Sequence, residues 1–272
     1  MTVTVKTFDR LADAASAIST ERGAHFLSGG TLLMRAVNEA DPAIETIVRS
    51  TDPAFRHIAV SSARVELAAG ATMAAILAER ELALLHQVAR AVGGPAVREA
   101  ATVGGNLFAP SPYGDFAAAL LALDATVTLA GGYGERELQL EELLGRRDRG
   151  AMLVSKVAFR RPPGDAFRFA KVTRVHPKGL SVLSIAALLP LASGRIMGAR
   201  IAYGAMGRTP LRAKAAERAL DGRSLDAAGI APALAVAADG TSPSDDAIAS
   251  AWWRREILPI HLRRLLLGAD QA

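Results

Sequence analysis

Apolar and polar residues alternate over residues 2–5, the two-residue period of a half-buried strand. The spacing then changes to three and four over residues 9–19, the period of an amphipathic helix, with Asp9 placed as its N-cap. The same two periods exchange along the next hundred residues. Strands are expected at residues 25–27 and 43–48, with a short helix at 32–37 between them and a break at Asp52-Pro53. Further strands at 57–60 and 65–68 lead into helices at 72–79 and 82–92. A helix at 115–123 precedes a hairpin that turns at Gly131-Gly132-Tyr133-Gly134.

Beyond residues 146–150 the pattern becomes strand-rich. Segments 152–159, 167–173, 183–189 and 195–203 read as an antiparallel meander. Thr209 and Pro210 have the residue types of an N-cap and first helical position, and Ser244-Asp245-Asp246 reads as the cap of a long amphipathic C-terminal helix kinked at Pro259. Strands followed by helices define an α+β class, with a first domain over 1–148, itself divided near 53, and a second over 149–272.

Composition narrows what these domains can do. At 272 residues with half of them apolar, the chain can bury a full core without staples. It contains no cysteine, which excludes disulfides, thiolate metal sites, iron–sulfur ligation and a cysteine nucleophile within this polypeptide. The five histidines, His25, His57, His86, His176 and His261, are scattered and form neither HxH nor HExxH, so a metal site has no motif behind it. The longest apolar run, near residues 183–192, is interrupted by Ser184 and Pro190, and the alternating N-terminal residues lack a signal core; a cytoplasmic protein is expected. A formal net charge of +5 comes from arginines dispersed along the chain, the ordinary dress of helix ends and subunit surfaces, with no nucleic-acid motif beside them.

The candidate chemistry lies in two glycine pairs. Gly29 and Gly30 stand in Leu27-Ser28-Gly29-Gly30-Thr31-Leu32, and Gly104 and Gly105 in Thr102-Val103-Gly104-Gly105-Asn106. Each falls where a strand-like stretch meets a helix-like one, and a backbone without side chains can turn N–H groups toward an anion there. Two such loops suit a ligand with two phosphates. Thr31 and Thr102 add hydroxyls and Asn106 an amide, while Asp115 is an acceptor for sugar or ribityl hydroxyls, or else a helix N-cap. The third glycine of a dinucleotide fingerprint, the Lys-Ser/Thr of a P-loop and a GxSxG elbow are all missing.

Ser28-Gly29-Gly30-Thr31, Thr102 to Asn106, and Ser111-Pro112-Tyr113-Gly114-Asp115 with the apolar helix after it resemble the FAD-binding medium subunit of molybdenum hydroxylases, the flavoproteins of the carbon monoxide and xanthine dehydrogenase type. Phe169-Ala170-Lys171-Val172-Thr173-Arg174 and Thr209-Pro210-Leu211-Arg212 resemble its C-terminal domain. The resemblance implies a two-subdomain FAD-binding domain of the PCMH type, then an antiparallel sheet with helices. It also implies that Ser28, Gly29, Gly30, Thr31, Leu32, Thr102, Gly104, Gly105, Asn106, Ser111 and Gly114 line the cofactor, that Asp115 holds the ribityl chain, and that Leu153 and Lys171 lie near the flavin ring. Leu32 stands where an acidic residue is frequent, and Pro110 and Tyr113 replace smaller or more polar residues. No histidine flanks Gly29-Gly30, so the FAD would be non-covalent. By the same resemblance the chain passes electrons from iron–sulfur clusters in a small partner through FAD to NAD+, oxygen or another acceptor. A large partner would carry the molybdenum–pterin centre, and the assembly would be a dimer of heterotrimers. A stand-alone flavin oxidase or reductase and a non-enzymatic assembly subunit are the alternatives. Trp252 and Trp253 suit either a docking face or the core.

Overall fold

The computed structural model describes residues 3–131, 134–148, 152–176 and 179–268. By spatial contact the chain divides into a first unit, Met1–Ala109 with Thr126–Phe159, and a second, Pro110–Ala125 with Arg160–Ala272. One change of unit falls at Phe159/Arg160, and the 110–125 segment groups with the C-terminal residues.

The first unit opens with β1 (Thr4–Phe8), α1 (Leu11–Thr20), β2 (Ala24–Phe26), α2 (Leu33–Asn38) and β3 (Thr46–Ser50). These strands form a parallel sheet in the order β1-β3-β2, with Val5 and His25 both aligned on Ile47. Ala14, Ala15, Ala17 and Ile18 of α1 pack with Val48 of β3, the small side chains letting helix and sheet approach closely. Asp9 is not the cap of α1. Its carboxylate accepts from the Thr51 hydroxyl at 2.8 Å, and the Leu11 N–H instead donates to Asp52 Oδ2 at 3.2 Å. Asp52 Oδ1 also accepts from Ala54 N–H at 3.0 Å, capping the single 3₁₀ turn Pro53–Arg56.

The chain continues through β4 (Ile58–Val60), β5 (Arg64–Ala68), α3 (Met73–Ala78), α4 (Ala83–Ala91), α5 (Pro95–Ala100) and α6 (Val103–Phe108). After α7 (Asp115–Ala122), which lies in the second unit, come β6 (Thr126–Ala130), β7 (Arg136–Gln139), α8 (Leu140–Arg146) and β8 (Leu153–Arg160). The five strands make one sheet, β4-β5-β8-β6-β7. The expected hairpin is present as β6 and β7, although Gly132 and Tyr133 of its turn lie outside the described residues. Strand β8 does not open the C-terminal meander. It runs antiparallel to β6, with Val127 opposite Val157, in the middle of this sheet, which is why six of its eight residues are buried. An apolar run announces such a central strand without naming its neighbours.

In the second unit β9 (Phe167–Thr173), β10 (Ser181–Leu188), the two-residue strands β11 (Leu191–Ala192) and β12 (Arg195–Ile196), β13 (Arg200–Gly204) and β14 (Leu211–Arg212) precede α9 (Lys214–Leu220), α10 (Ala227–Ala235) and α11 (Ala251–Leu267). The main sheet, β14-β13-β10-β9, is antiparallel, while β11 and β12 pair only with each other. Period-2 alternation gives this sheet two different faces. Leu183, Ile185, Ile201 and Tyr203 join α9, α10 and α11 in the core, whereas Ser184 and Gly204 face α7. Thr209 and Pro210 lead into β14 rather than a helix, and α9 begins later, at Lys214, after an Ala213 that caps nothing with its side chain. The cap of α11 is Ser250, whose Oγ accepts from Trp253 N–H at 3.1 Å, assisted by Asp245, which accepts from Ala251 N–H.

Candidate cofactor site

The first glycine loop leaves the sheet immediately after β2. Leu27 N–H still donates to Val48 O at 2.7 Å, but the N–H groups of Ser28, Gly29, Gly30 and Thr31 make no hydrogen bond to any described residue. Ser28, Gly29 and Gly30 are half-buried and Thr31 is exposed, so these four consecutive donors are available to water or to a ligand. Gly30 holds φ at +74°, the left-handed region that glycine enters without a Cβ penalty. Gly29 is pressed against the second loop so closely that a Cβ there would come within 1.9 Å of the Ala100 carbonyl oxygen.

The second loop is built differently. The pair Gly104-Gly105 does not follow a strand; α5 precedes it, and both glycines lie in the first turn of α6. Thr102 caps that turn by accepting from Gly105 N–H at 3.1 Å, and its hydroxyl shares a 2.7 Å hydrogen bond with Ser28 Oγ. Val103 N–H donates to Ala71 O, Gly104 N–H to Ala69 O, and both the backbone and side-chain amides of Asn106 to Thr102 O. Its backbone donors are therefore already engaged. A Cβ on Gly104 would meet Ala69 Cβ at 2.9 Å, so this glycine serves close packing, not an open cradle. The two loops do come together, with the first supplying free donors and the second supplying the wall and the hydroxyl of Thr102. Leu32 is the N-cap of α2 and half-buried. This arrangement fits a pyrophosphate, whose oxygens match a row of N–H donors flanked by hydroxyls.

Other expected site residues lie in the second unit. Ser111 begins a turn with a cis peptide bond to Pro112, and Gly114, at φ +95°, is the N-cap of α7. Asp115 is therefore the first helical residue, not the cap. Its buried carboxylate accepts from Ser181 Oγ at 2.6 Å through Oδ1 and pairs with Lys171 Nζ at 2.9 Å through Oδ2. Lys171 stands on β9 directly opposite Ser184, whose hydroxyl is fully buried and has no hydrogen-bond partner among the described residues. Leu153, in the first unit, is buried with Ala14, Ile18 and Val48. Ser181 carries no local sequence signal, because it is the packing of α7 on β10 that brings it beside Asp115. No group of three or more potential metal-ligating side chains occurs among the described residues.

A family model described as the FAD binding domain in molybdopterin dehydrogenase matches residues 3–159, and one described as the CO dehydrogenase flavoprotein C-terminal domain matches residues 168–269. The chain belongs to the family of FAD-binding flavoproteins of the molybdenum hydroxylases. It is 26% identical over 191 residues to the glyceraldehyde dehydrogenase medium chain of Sulfolobus acidocaldarius, covering 68% of this chain and 66% of that one. With the nicotinate dehydrogenase FAD-subunit of Eubacterium barkeri it shares 32% identity over 150 residues, 52% of this chain and 51% of the relative. The matched stretches thus span less than two thirds of these curated relatives. The fold of the whole chain resembles a chain of the CO dehydrogenase of Oligotropha carboxidovorans, with a TM-score of 0.89, 22% identity and coverage of 98% and 96%. Quinoline 2-oxidoreductase from Pseudomonas putida 86 gives 0.87, with 21% identity and coverage of 100% and 98%.

Proposed function

We propose that this chain is the FAD-carrying electron-transfer subunit of a multi-subunit molybdenum hydroxylase. The observation that carries the reading is the row of open N–H groups from Ser28 to Thr31 set against Thr102, in a chain with no cysteine of its own. Those donors would hold the pyrophosphate, and the Ser28 and Thr102 hydroxyls would fix its register. Asp115 and Lys171 are assigned to the ribityl chain and the ring, with Ser181 holding the carboxylate in place, and Leu153 to the ring's surroundings. Bound FAD supplies exchange between one-electron and two-electron carriers, chemistry that no side chain here offers. The substrate would be oxidised on a large molybdenum–pterin chain, with [2Fe-2S] clusters in a small chain as donors and NAD+, oxygen or another acceptor as recipient. We place this heteromeric complex, a dimer of heterotrimers, in the cytoplasm; no helix among the described residues is long and apolar enough to cross a membrane.

Thr31 provides the test, because its exposed side chain makes no hydrogen bond to a described residue and can change without disturbing the fold. Purified protein is expected to show flavin absorption and to release FAD on denaturation. Thr31→Glu sets a carboxylate beside the phosphates and should weaken FAD about tenfold or more, a change of ~1.4 kcal/mol. A wild-type chain that neither carries nor takes up FAD would overturn the proposal.

A further inference from the structure

Helix α11 has two unlike faces. Ile257, Leu258, Leu262, Leu265 and Leu266 are buried in the core of the second unit. On the opposite side Trp252, Trp253 and Ile260 are 65%, 48% and 52% exposed, and Leu267 is also exposed. Trp253, Ile260 and Leu267 recur every seven residues, so they line up as one stripe about 21 Å long. Arg263 and Arg264 flank the stripe on its two sides; both are exposed and neither has an ion pair with a described residue. Glu256 is the single acidic residue of the helix. Large apolar side chains gathered on one helix, with arginine beside tryptophan, have the composition of an interface centre and not of scattered surface hydrophobics.

Resting on the subunit reading above, we propose that this face of α11 docks a partner chain of the same complex, one that presents an apolar groove edged by carboxylates. The unneutralised arginines select an acidic rim. They also disfavour a second copy of this chain, whose α11 has one carboxylate, Glu256, to set against them.

The test exploits the fact that the chain has only two tryptophans and both stand on this face. Holo-protein is compared alone and after assembly with the large and small chains of its complex. Burial should shift tryptophan emission to shorter wavelength and reduce acrylamide quenching severalfold. Ile260→Glu, which alters an exposed position and leaves both reporters in place, should weaken assembly about a hundredfold with FAD content and circular dichroism unchanged. The double variant Arg263→Glu with Arg264→Glu should weaken it about tenfold and flatten its salt dependence. Wild-type affinity in these variants, or unchanged tryptophan emission in the assembled complex, would overturn the docking surface while leaving the subunit reading intact. Loss of a homodimer on Ile260→Glu, or an emission shift produced by anionic phospholipid vesicles in place of the partner chains, would overturn it in favour of self-association or a membrane surface. Wild-type holo-protein that joins neither chain would remove both proposals together.

Discussion

Ser184 on β10 and Gly204 on β13 are direct neighbours in the register, and the pair shows how tightly the α7 face of the second sheet is set. A Cβ on Gly204 would lie 2.3 Å from Ser184 Oγ and 3.6 Å from Asp115 Oδ1. The Ser184 hydroxyl is buried without a hydrogen bond, an arrangement that costs desolvation and returns nothing. Ser184→Ala should therefore be neutral or stabilising, within about 1 kcal/mol, because it removes an unsatisfied group from the interior. Gly204→Ala should destabilise by about 1–3 kcal/mol through overpacking, and the combination should recover most of that loss. Urea denaturation of the two single variants and the double variant checks this; strict additivity would show that the clash is relieved elsewhere. At the same scale, the two candidate loops are legible in the sequence only in part. Glycines beside hydroxyl residues single them out, but which N–H groups stay open depends on Ala69 and Ala71, residues with no chemistry of their own, accepting the donors of the second loop.

Among the elements, α11 depends on a clip that its sequence advertises poorly. Arg254 is buried, and its guanidinium reaches Val182 O at 2.8 Å, the carbonyls of Ser244 and Ala249, and both oxygens of Asp246. Burial of the Asp246 carboxyl opposes its ionisation, but the N–H groups of Ala249 and Ile248 and the Arg254 guanidinium outweigh it and hold the pKa below the ordinary value. A depressed folded pKa contributes stability that is present above the unfolded carboxyl pKa and is lost as pH falls through the folded one. Wild-type stability should thus drop below about pH 4, and Asp246→Asn should lose that part of the acid dependence. At neutral pH the variant should be about 3 kcal/mol less stable, since a buried arginine loses its counter-charge. Denaturant midpoints across pH 3–7 distinguish this from a surface pair, whose removal would change little. The sequence signals a helix cap at Ser244-Asp245-Asp246, as it does at Asp9 for α1. In both places the local sequence signal was real, but a residue distant from it, Asp52, or closer to the helix, Ser250, held the better geometry. Element types were legible because their periods are local. The place of β8 beside β5 and β6 was not, because pairing is a property of the assembled sheet.

For the molecule as a whole, assigning the open donors of the first loop to FAD predicts that cofactor and fold are linked, because the folded chain is the state that presents those donors as a set. Ser28, Gly29, Gly30 and Thr31 can present their N–H groups together only while Ser28 is held on Thr102 and Gly29 is packed on Ala100. An unfolded chain offers the same groups to water one at a time. Free FAD at a hundred times its dissociation constant should therefore add about 2.7 kcal/mol to the stability of the unit that binds it. For a cooperative unit of roughly 150 residues, that corresponds to a rise in melting temperature of about 5–10 °C. Calorimetry of the wild type against Thr31→Glu separates this linkage from a general stabiliser. The variant should melt close to the wild-type apo-protein without FAD and gain only about half the rise, ~1.4 kcal/mol, at the same concentration. An equal rise in both proteins would place the stabilising contact away from the loop. Alkylating reagents should leave the wild-type response unchanged, because a chain with no cysteine has no thiol through which they could reach the flavin.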